Sequence, residues 1–324
     1  MNNTPDTSSK KSGSTSGYLI CILATVAWAS TSIIIRYLTV NFQLPPLVLA
    51  FWRDTFVTIL MFLFFLLFNR QRLVIDKKQI PFFMVYGLVL LLFNALWTFS
   101  VALNGAAVST VLAYSSSAFT ALIAWRFLKE PLGWGKILAV TLALLGCVLV
   151  SGAQDRTAWA VNPFGILTGL SSGIAFAGYS LMGKVSSNRG INSWSALLYS
   201  FLFAALYFAP LNAIVTTVQG QSFFPTLLWL GKSTVGWLAL LGLAMGPTIG
   251  GYGLYTLSLN TLSASVANLI ATLEPVITSI LAYFLLNESL TNIQLMGGGM
   301  IILSVIVIRV FERQQGSTEV IAPV

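Results

Sequence analysis

The residue with the greatest potential for chemistry in this sequence is Glu274, which lies near the middle of an apolar run, directly before Pro275. Proline removes one backbone hydrogen bond from a helix and clashes with the preceding turn, so a free carbonyl group should lie beside this carboxyl group. An apolar environment disfavours the charged form of a carboxyl group, so Glu274 could carry a proton or bind a cationic group. The alternative is a neutral structural pin between helices. We predict a substrate-binding and coupling role for Glu274, with Pro275 as a hinge.

A second pair of charged residues, Arg53 and Asp54, also lies inside an apolar run. A charged side chain at the centre of a bilayer costs about 2.5–3.5 kcal/mol on insertion scales, so both residues need an explanation. Adjacent residues of a helix project about 100° apart and are not expected to face each other. Arg53 could attract an anionic group in a cavity, or it could extend to the membrane surface while Asp54 bonds to a neighbouring helix. We predict a structural or gating role for both.

A third group of candidates consists of aromatic and amide side chains inside apolar runs. Trp and Tyr are common at membrane interfaces, but in mid-membrane their polar tips need a partner, which a wet cavity would provide. We expect some of this group to contact a substrate and the others to pack between helices. Pro247, which directly follows Gly246, is a further candidate hinge. The candidates for substrate binding are Trp28, Asn94, Trp97, Tyr114, Tyr179, Tyr252, Tyr255 and Asn268.

The composition places most of this chain in lipid. Hydrophobic residues make up 56% of the 324 residues and charged residues 8%, whereas an ordinary soluble domain is about 25% charged. The net charge of +8 does not indicate a nucleic-acid partner, because the basic residues stand in short patches between apolar runs. There is no histidine and there are only two cysteines, so we expect no metal site and no cofactor. The scarcity of His, Asp and Glu also argues against an enzyme.

Ten apolar runs are long enough to cross the hydrocarbon core, which needs about 20 residues. Each must be helical, because lipid offers no partners to open backbone groups. The polar segments 1–17 and 313–324 are predicted to be tails, the first of them disordered. In chain order the runs are numbered spans 1 to 10 and cover approximately 18–38, 47–68, 81–103, 107–127, 134–152, 163–185, 193–214, 234–257, 262–285 and 291–311.

The basic residues predict the orientation of the spans. Ten spans place both termini on one side, and thirteen of the seventeen Lys and Arg residues fall on that side, called the basic side below, against three on the other. An excess of Lys and Arg marks cytoplasmic loops, so both termini should be cytoplasmic. The larger set is Lys10, Lys11, Arg70, Arg72, Lys77, Lys78, Arg126, Lys129, Lys136, Lys184, Arg189, Arg309 and Arg313, and the smaller set is Arg36, Arg156 and Lys232.

The two halves of the chain resemble each other. LNGAAVSTVLA in the first half matches LNTLSASVANL in the second, and each is followed by an acidic motif, FLKEPL with Glu130 and LLNESL with Glu288. We therefore predict two five-span repeats, 18–152 and 163–312, which an odd number of spans places in opposite orientations, as in many secondary transporters. The predicted fold is an all-α membrane protein with ten transmembrane helices in two inverted five-helix repeats around a central cavity. A weaker match between spans 1 and 6 sets Trp28 opposite Phe176.

Four short motifs stand in a fixed order along the spans. They are Trp28-Ala29-Ser30, Phe51-Trp52-Arg53, Ala107-Val108-Ser109 and Leu273-Glu274-Pro275-Val276, and Glu288 follows them. This arrangement resembles the EamA-type family of the drug/metabolite transporter superfamily over roughly residues 18–312. The resemblance implies a ten-helix fold with a central cavity and transport of small metabolites, often by export. Span 4 often carries a proline in that family where this chain has Ser117, so we expect the two halves to bend differently.

Together these features predict a secondary transporter of small organic metabolites, such as amino acids or aromatic or cationic compounds, by alternating access. Export is implied by the resemblance, and proton coupling through Glu274 is an option. The alternatives are a facilitative importer or a channel-like uniporter of a small polar solute, and less favoured are an enzyme or a scaffold. The predicted partners are the substrate and membrane lipid, with no nucleic acid. The chain should be a monomer or homodimer in a bacterial cytoplasmic membrane.

Overall fold

The computed structural model describes residues 8–150, 162–286 and 291–318, and these residues form helices joined by turns, without a β-strand. The spans contain the helices Ser8–Ala29 and Thr31–Asn41 (span 1), Pro46–Phe68 (span 2), Ile80–Tyr114 (span 3 and the start of span 4), Ser116–Ile123 and the π-helical turn Ala124–Leu128 (span 4), Trp134–Val150 (span 5), Pro163–Asn188 (span 6), Ser193–Val218 (span 7), Thr234–Leu243, the π-helical Ala244–Tyr252 and Gly253–Ser258 (span 8), Ala264–Ala271 and Glu274–Leu286 (span 9) and Asn292–Thr318 (span 10).

Short helices occupy two of the links between spans. Arg70–Leu73 and Lys77–Gln79 lie between spans 2 and 3, and Phe223–Leu227 lies between spans 7 and 8. Among the described residues, nine segments are long and apolar enough to cross a membrane, and Trp134–Val150 is a shorter apolar helix of 17 residues. Seventeen residues extend about 25 Å, at the lower limit for a membrane-spanning helix. The predicted all-α fold with ten transmembrane helices is confirmed.

The first and last helices are longer than predicted. The first begins at Ser8, inside the segment 1–17 that was predicted to be disordered, and the last continues to Thr318, beyond 312. Once a helix has nucleated in an apolar run, each added residue gains a backbone hydrogen bond. Helical structure can therefore extend into polar flanking sequence that would not form a helix by itself.

Spans 3 and 4 are continuous in helical backbone but antiparallel in space. The helix Ile80–Tyr114 contains both Ser100 and Ser109, and a straight helix would separate these two residues by about 13.5 Å. Their side-chain oxygens are instead 2.8 Å apart, within hydrogen-bond distance. Ser100 also donates to the carbonyl oxygen of Gly165 in span 6 at 2.9 Å. The chain therefore reverses between Ser100 and Ser109, and both arms pack against span 6.

The main contacts between a span of one repeat and a span of the other recur when the two repeats are interchanged. Span 3 packs along span 6, and its repeat counterpart, span 8, packs along span 1. In the same way span 4 packs on span 6 and span 9 on span 1, while spans 2 and 7 pack on each other, as do spans 5 and 10. A two-fold relation between the repeats produces this pattern, and two five-span units related in this way are inverted. Each repeat therefore buries its first span against the other repeat.

Small residues allow the last spans of the two repeats to approach closely. A Cβ atom added at Gly146 in span 5 would lie 2.7 Å from the carbonyl oxygen of Gly297 in span 10. Conversely, a Cβ atom at Gly297 would lie 2.8 Å from the carbonyl oxygen of Gly146. Glycine pairs of this kind are typical of helix packing in membranes.

Spans 4 and 9 are each interrupted near their middle. The helix of span 4 breaks at Ser115, and that of span 9 breaks between Ala271 and Glu274. The hydroxyl groups of Ser115 and Thr272 each donate to the carbonyl group three residues earlier, at 2.5 Å and 2.6 Å. Such local bonds compete with regular helix hydrogen bonding. Both halves are therefore interrupted at corresponding places, and span 4 breaks although Ser117 stands where span 9 has Pro275.

Candidate functional site

Four aromatic rings from spans 1, 6 and 8 meet at the centre of the fold. The ring centroid of Trp28 lies 4.9 Å from that of Tyr252, 5.0 Å from that of Tyr255 and 6.0 Å from that of Phe176. All four side chains are buried. Trp28 and Phe176 are counterparts in the two repeats, so their contact places the cluster on the axis that relates the repeats. Transporters with inverted repeats bind substrate in this position.

Tyr179 extends this cluster towards span 3. Its ring centroid lies 5.6 Å from that of Tyr252 and 4.8 Å from that of Tyr86. The structure thus brings together four of the predicted site residues, Trp28, Tyr179, Tyr252 and Tyr255. Tyr86 was missed in the sequence because an isolated tyrosine in an apolar run carries no signal that separates a packing residue from a site residue.

The carboxyl group of Glu274 lies beside this cluster, at the break in span 9. Tyr114 of span 4 donates a hydrogen bond from its hydroxyl group to Oε2 of Glu274 at 2.5 Å. Tyr114 is buried and Glu274 is half-buried. The half-helix that begins at Glu274 packs against the helix of span 1 that carries Trp28. Two predicted site residues, Glu274 and Tyr114, therefore form one contact between the repeats, and Pro275 is buried next to it.

Arg53 and Asp54 form an ion pair, which contradicts the prediction that they do not face each other. Nε of Arg53 lies 2.9 Å from Oδ1 of Asp54, and the two side chains are 8% and 0% exposed. The long arginine side chain can fold back along the helix, and in an apolar environment two unpaired charges would cost far more than this bend. Arg53 does not extend to the membrane surface, which was the other alternative.

Two polar atoms of the ion pair lack a hydrogen-bond partner among the described residues. Nη2 of Arg53 and Oδ2 of Asp54 are buried and have no hydrogen-bond partner within the described part of the chain, and the same holds for Nε1 of Trp28. Span 2, which carries the pair, packs against the segment Ala244–Tyr252 of span 8. Buried polar atoms are almost always hydrogen-bonded in proteins, and an unsatisfied one costs about 1–3 kcal/mol. The hydroxyl groups of Tyr86 and Tyr179 also lack a partner among the described residues. Unsatisfied groups on the aromatic cluster and on the ion pair of the adjoining span therefore indicate a place where a polar ligand completes the bonding.

Asn268 takes part in a hydrogen-bond chain that joins four spans. Its Oδ1 accepts from Ser116 of span 4 at 3.0 Å, and its Nδ2 donates to Ser180 of span 6 at 3.0 Å. Ser180 in turn shares a hydrogen bond of 2.7 Å with the hydroxyl group of Tyr255 in span 8. The structure thus engages both ends of the amide, and the chain positions the Tyr255 ring. Serines in apolar runs are common, so Ser116 and Ser180 could not be singled out from the sequence.

Two predicted residues of span 3 lie apart from these contacts. Asn94 is buried, and its Nδ2 has no hydrogen-bond partner among the described residues. Trp97 is half-buried, and none of the ring contacts of the described residues includes it. The aromatic cluster therefore includes Trp28 and does not include Trp97.

Pro247 lies in an irregular part of span 8. The segment Ala244–Tyr252 is π-helical, and the hydroxyl group of Thr248 donates to the carbonyl oxygen of Leu243 at 2.7 Å. Proline cannot donate the backbone bond of a regular helix, and π-helical segments are frequent at functional sites. Tyr252 stands at the end of this segment, so a change in its winding would move the Tyr252 ring.

Gly251 allows Trp28 to reach the cluster. A Cβ atom at this position would lie 2.4 Å from Cδ1 and 2.7 Å from Nε1 of the indole. We expect Gly251→Ala to displace the Trp28 ring and to lower ligand affinity by up to about tenfold, as for the loss of an aromatic contact in a binding site. Intrinsic tryptophan fluorescence and ligand titration measure the two effects. Gly250→Ala is the matched control, because a Cβ atom there meets nothing within 4 Å. Equal effects of both substitutions would contradict the assignment.

The comparisons with known proteins agree with this architecture. The EamA-like transporter family matches residues 15–152 and 163–310, one match for each repeat. An uncharacterised transporter of Synechocystis is 26% identical over 256 residues, which cover 77% of this chain and 72% of that protein. A protein of Rickettsia conorii named S-adenosylmethionine uptake transporter is 27% identical over 275 residues, covering 82% of this chain and 83% of that protein.

A solved crystal structure shares the fold. It superposes with a TM-score of 0.73 at 17% sequence identity, over 93% of this chain and 99% of the other. The family match covers both repeats and more than half of the chain, and the related proteins are transporters by name. This chain is therefore a member of the EamA-like transporter family.

Proposed function

We propose that this transporter carries small organic zwitterions or cations by alternating access, and that it binds them between Trp28, Tyr252, Glu274 and the Arg53–Asp54 pair. The observation that carries the proposal is the set of buried, unsatisfied polar atoms on Trp28, Arg53 and Asp54, whose spans both pack against the segment Ala244–Tyr252. An arginine N–H group suits a carboxylate, and a carboxylate oxygen suits an ammonium group. An α-amino acid group presents both.

The charge balance of the site favours a positive group on the substrate. The proposed site contains two carboxyl groups, of Asp54 and Glu274, against one guanidinium group, of Arg53. The aromatic faces of Trp28 and Tyr252 add a second attraction, because a cation over an aromatic ring is stabilised by about 0.5–2 kcal/mol. An organic anion would gain only the single contact with Arg53.

The relatives support this choice of substrate class. The Rickettsia proteins are named for the uptake of S-adenosylmethionine, a compound with an amino acid group, a sulfonium cation and an aromatic base. We propose a substrate that combines a cationic or zwitterionic group with an apolar or aromatic part. Export is the direction implied by the family resemblance, whereas the names of these relatives favour uptake as a second candidate. A secondary transporter is reversible, so the gradients of substrate and coupling ion decide between the two.

The same residues support a mechanism of alternating access. The cluster is packed in this conformation, so a substrate can enter only if the rings of Trp28 and Tyr252 separate. The π-helical segment with Pro247 and the breaks in spans 4 and 9 provide places where half-helices can rotate. Glu274 lies at one of these breaks, and we propose that its carboxyl group exchanges the Tyr114 hydroxyl for a proton or for the cationic group of the substrate. This exchange would couple binding to the movement.

A matched set of ligands tests the substrate class in purified protein. Tryptophan, tryptamine and indole-3-acetate share one ring but are a zwitterion, a cation and an anion, and S-adenosylmethionine and methionine extend the set. A ligand at a hundredfold excess over Kd stabilises the folded state by about 2.7 kcal/mol, which thermal unfolding detects. We expect a zwitterion or a cation to stabilise the protein and indole-3-acetate not to do so.

Two tryptophans of the chain serve as test and control. Trp28→Ala should remove the stabilisation by ligand, because this ring forms one wall of the proposed site. Trp97→Ala should preserve it, because Trp97 lies outside the cluster. Stabilisation by the anion alone would overturn the proposed substrate class, and an undiminished effect of ligand in Trp28→Ala would overturn the position of the site.

A further inference from the structure

The turn between spans 8 and 9, residues 259–263, is fixed from several sides. Lys184 at the end of span 6 donates to two backbone carbonyl groups of this turn, each at 2.8 Å. Ser193 at the start of span 7 donates to the side-chain oxygen of Asn260 at 3.2 Å. Gly17 of span 1 adjoins the turn, since a Cβ atom there would contact its side chains. The turn therefore closes the basic side of the molecule against spans 1, 6 and 7.

A buried group of charges holds the beginning of span 9. Glu130 follows span 4, and its Oε1 accepts from the backbone N–H of Ala264 at 2.9 Å. Its Oε2 accepts from Ser265 and lies 3.4 Å from Nζ of Lys136, which also donates to Ser265 at 3.1 Å. The side chains of Lys136 and Glu130 are only 8% and 11% exposed. Lys184 holds the turn, and Glu130 and Lys136 hold the residues directly after it, so the three charges act on one short segment, residues 259–265.

A short helix connects this cluster with the proposed substrate site. Ala264–Ala271 begins at the backbone N–H group that Glu130 holds and ends at the break before Glu274. Eight helical residues extend about 12 Å and move as one body. A rearrangement at Glu274 can therefore rotate this half-helix and pull its first turn away from Glu130.

We infer that Glu130, Lys136 and Lys184 form an ionic latch that keeps the transport pathway closed on the basic side and opens when the site faces that side. The inference rests on the proposed alternating access. Buried ion pairs contribute little to stability compared with apolar packing. Hydrogen-bonded charge pairs of this kind are, however, typical of interfaces that switch between two discrete arrangements. The latch residues are positioning residues, because they touch the turn and the half-helix and not the substrate.

The chain contains its own reporter for the opening of this latch. Cys21 in span 1 is fully buried beneath the turn, and its Sγ contacts the carbonyl oxygen of Ala267 at 3.5 Å. The chain has two cysteines, so Cys147→Ala leaves Cys21 as the single thiol. A membrane-impermeant maleimide can reach Cys21 from the basic side only when the turn moves away. The rate of labelling therefore measures the population of the open state.

The experiment compares three substitutions in this background, in vesicles of known orientation. Lys184→Met removes the charge that holds the turn but preserves the apolar stem, and Glu130→Gln removes the ion pair while preserving an acceptor for Ala264. Lys77→Met is the control, because Lys77 is exposed on the basic side and outside the latch. We expect labelling from the basic side to be at least about tenfold faster in the first two variants, because each loses at least one charge-assisted interaction and one such bond corresponds to about this factor. The control should label at the parental rate.

Two results of the labelling experiment would contradict the latch. Parental labelling rates in folded, monodisperse Lys184→Met and Glu130→Gln would overturn the latch, as would an increase that is equal from both sides of the membrane. If Glu130→Gln does not fold, Lys184→Met carries the test, since it breaks no buried ion pair. The labelling needs no substrate. A failure of the proposed function, seen as absence of transport by the parental protein, is therefore distinguishable from a failure of the latch.

Discussion

Glu274→Gln should reduce the initial rate of transport by about tenfold or more and should remove its dependence on pH, while the protein stays folded. Glutamine has the same shape and can still accept the hydrogen bond from Tyr114, but it can neither take up a proton nor neutralise a cationic group. Truncating one partner of a buried charge pair typically costs about 2–5 kcal/mol in binding. The measurement is uptake into proteoliposomes over a series of pH values, with thermal unfolding as the test of folding.

Tyr114→Phe is the matched variant for this prediction. It removes the hydroxyl group that donates to Glu274 at 2.5 Å but preserves the carboxyl group. We expect a smaller loss of rate, with the pH dependence still present. A Glu274→Gln protein with the wild-type rate and pH profile would show that this carboxyl group is only a structural link between spans 4 and 9.

Arg53→Met should destabilise the protein by about 3–5 kcal/mol, which is the usual effect of leaving one member of a buried ion pair without its partner. Asp54 is fully buried, and Arg53 is the partner of its Oδ1. The remaining carboxyl group would have to bind a proton or draw water into the membrane interior. Thermal unfolding in detergent measures the loss as a lower Tm.

The double variant Arg53→Met/Asp54→Leu separates stability from function. Replacing a buried ion pair by apolar residues of similar volume is often neutral or stabilising, so the double variant should regain most of the lost stability. Transport should remain low, because the atoms proposed to bind an amino acid group are gone. Asp54→Leu completes the comparison. If the loss of stability in the double variant equals the sum of the losses in Arg53→Met and Asp54→Leu, the two residues are not coupled. Normal transport by a stable double variant would place the substrate elsewhere.

The fold could be predicted from the sequence because lipid allows few structures. A run of about 20 apolar residues in a membrane must be a helix, so the ten spans follow from hydropathy alone. The polar landmarks around Glu130 and Glu288 indicate the repeat. Glu130 follows span 4, and its carboxyl group contacts the start of span 9 in the structure, whereas Glu288 and Arg156 lie outside the described residues. Where polar sequence adjoins a span, as at Ser8, composition alone placed the helix end wrongly.

The candidate site could be predicted in part. Trp28, Tyr252 and Glu274 were chosen as polar or aromatic residues in mid-span. The structure places Trp28 and Tyr252 in ring contact and Glu274 in a hydrogen bond with Tyr114. The pairing of Arg53 with Asp54 could not be predicted, because neighbouring positions diverge on a helix and only the flexible arginine side chain closes the gap. The hydrogen-bond chain through Asn268 depends on contacts between spans that are far apart in sequence. The break at Ser115 could not be predicted, because span 4 contains no proline.

Counterflow in proteoliposomes tests the central claim most directly, using the ligand that stabilises the purified protein. Vesicles are loaded with unlabelled ligand, and a trace of labelled ligand is added outside. A carrier that exposes one site alternately to each side must accumulate the label transiently above its outside concentration, and we predict this overshoot for the wild-type protein but not for Trp28→Ala. Equilibration of the label without an overshoot would identify a channel-like pathway and would contradict a carrier with its site at Trp28 and Glu274.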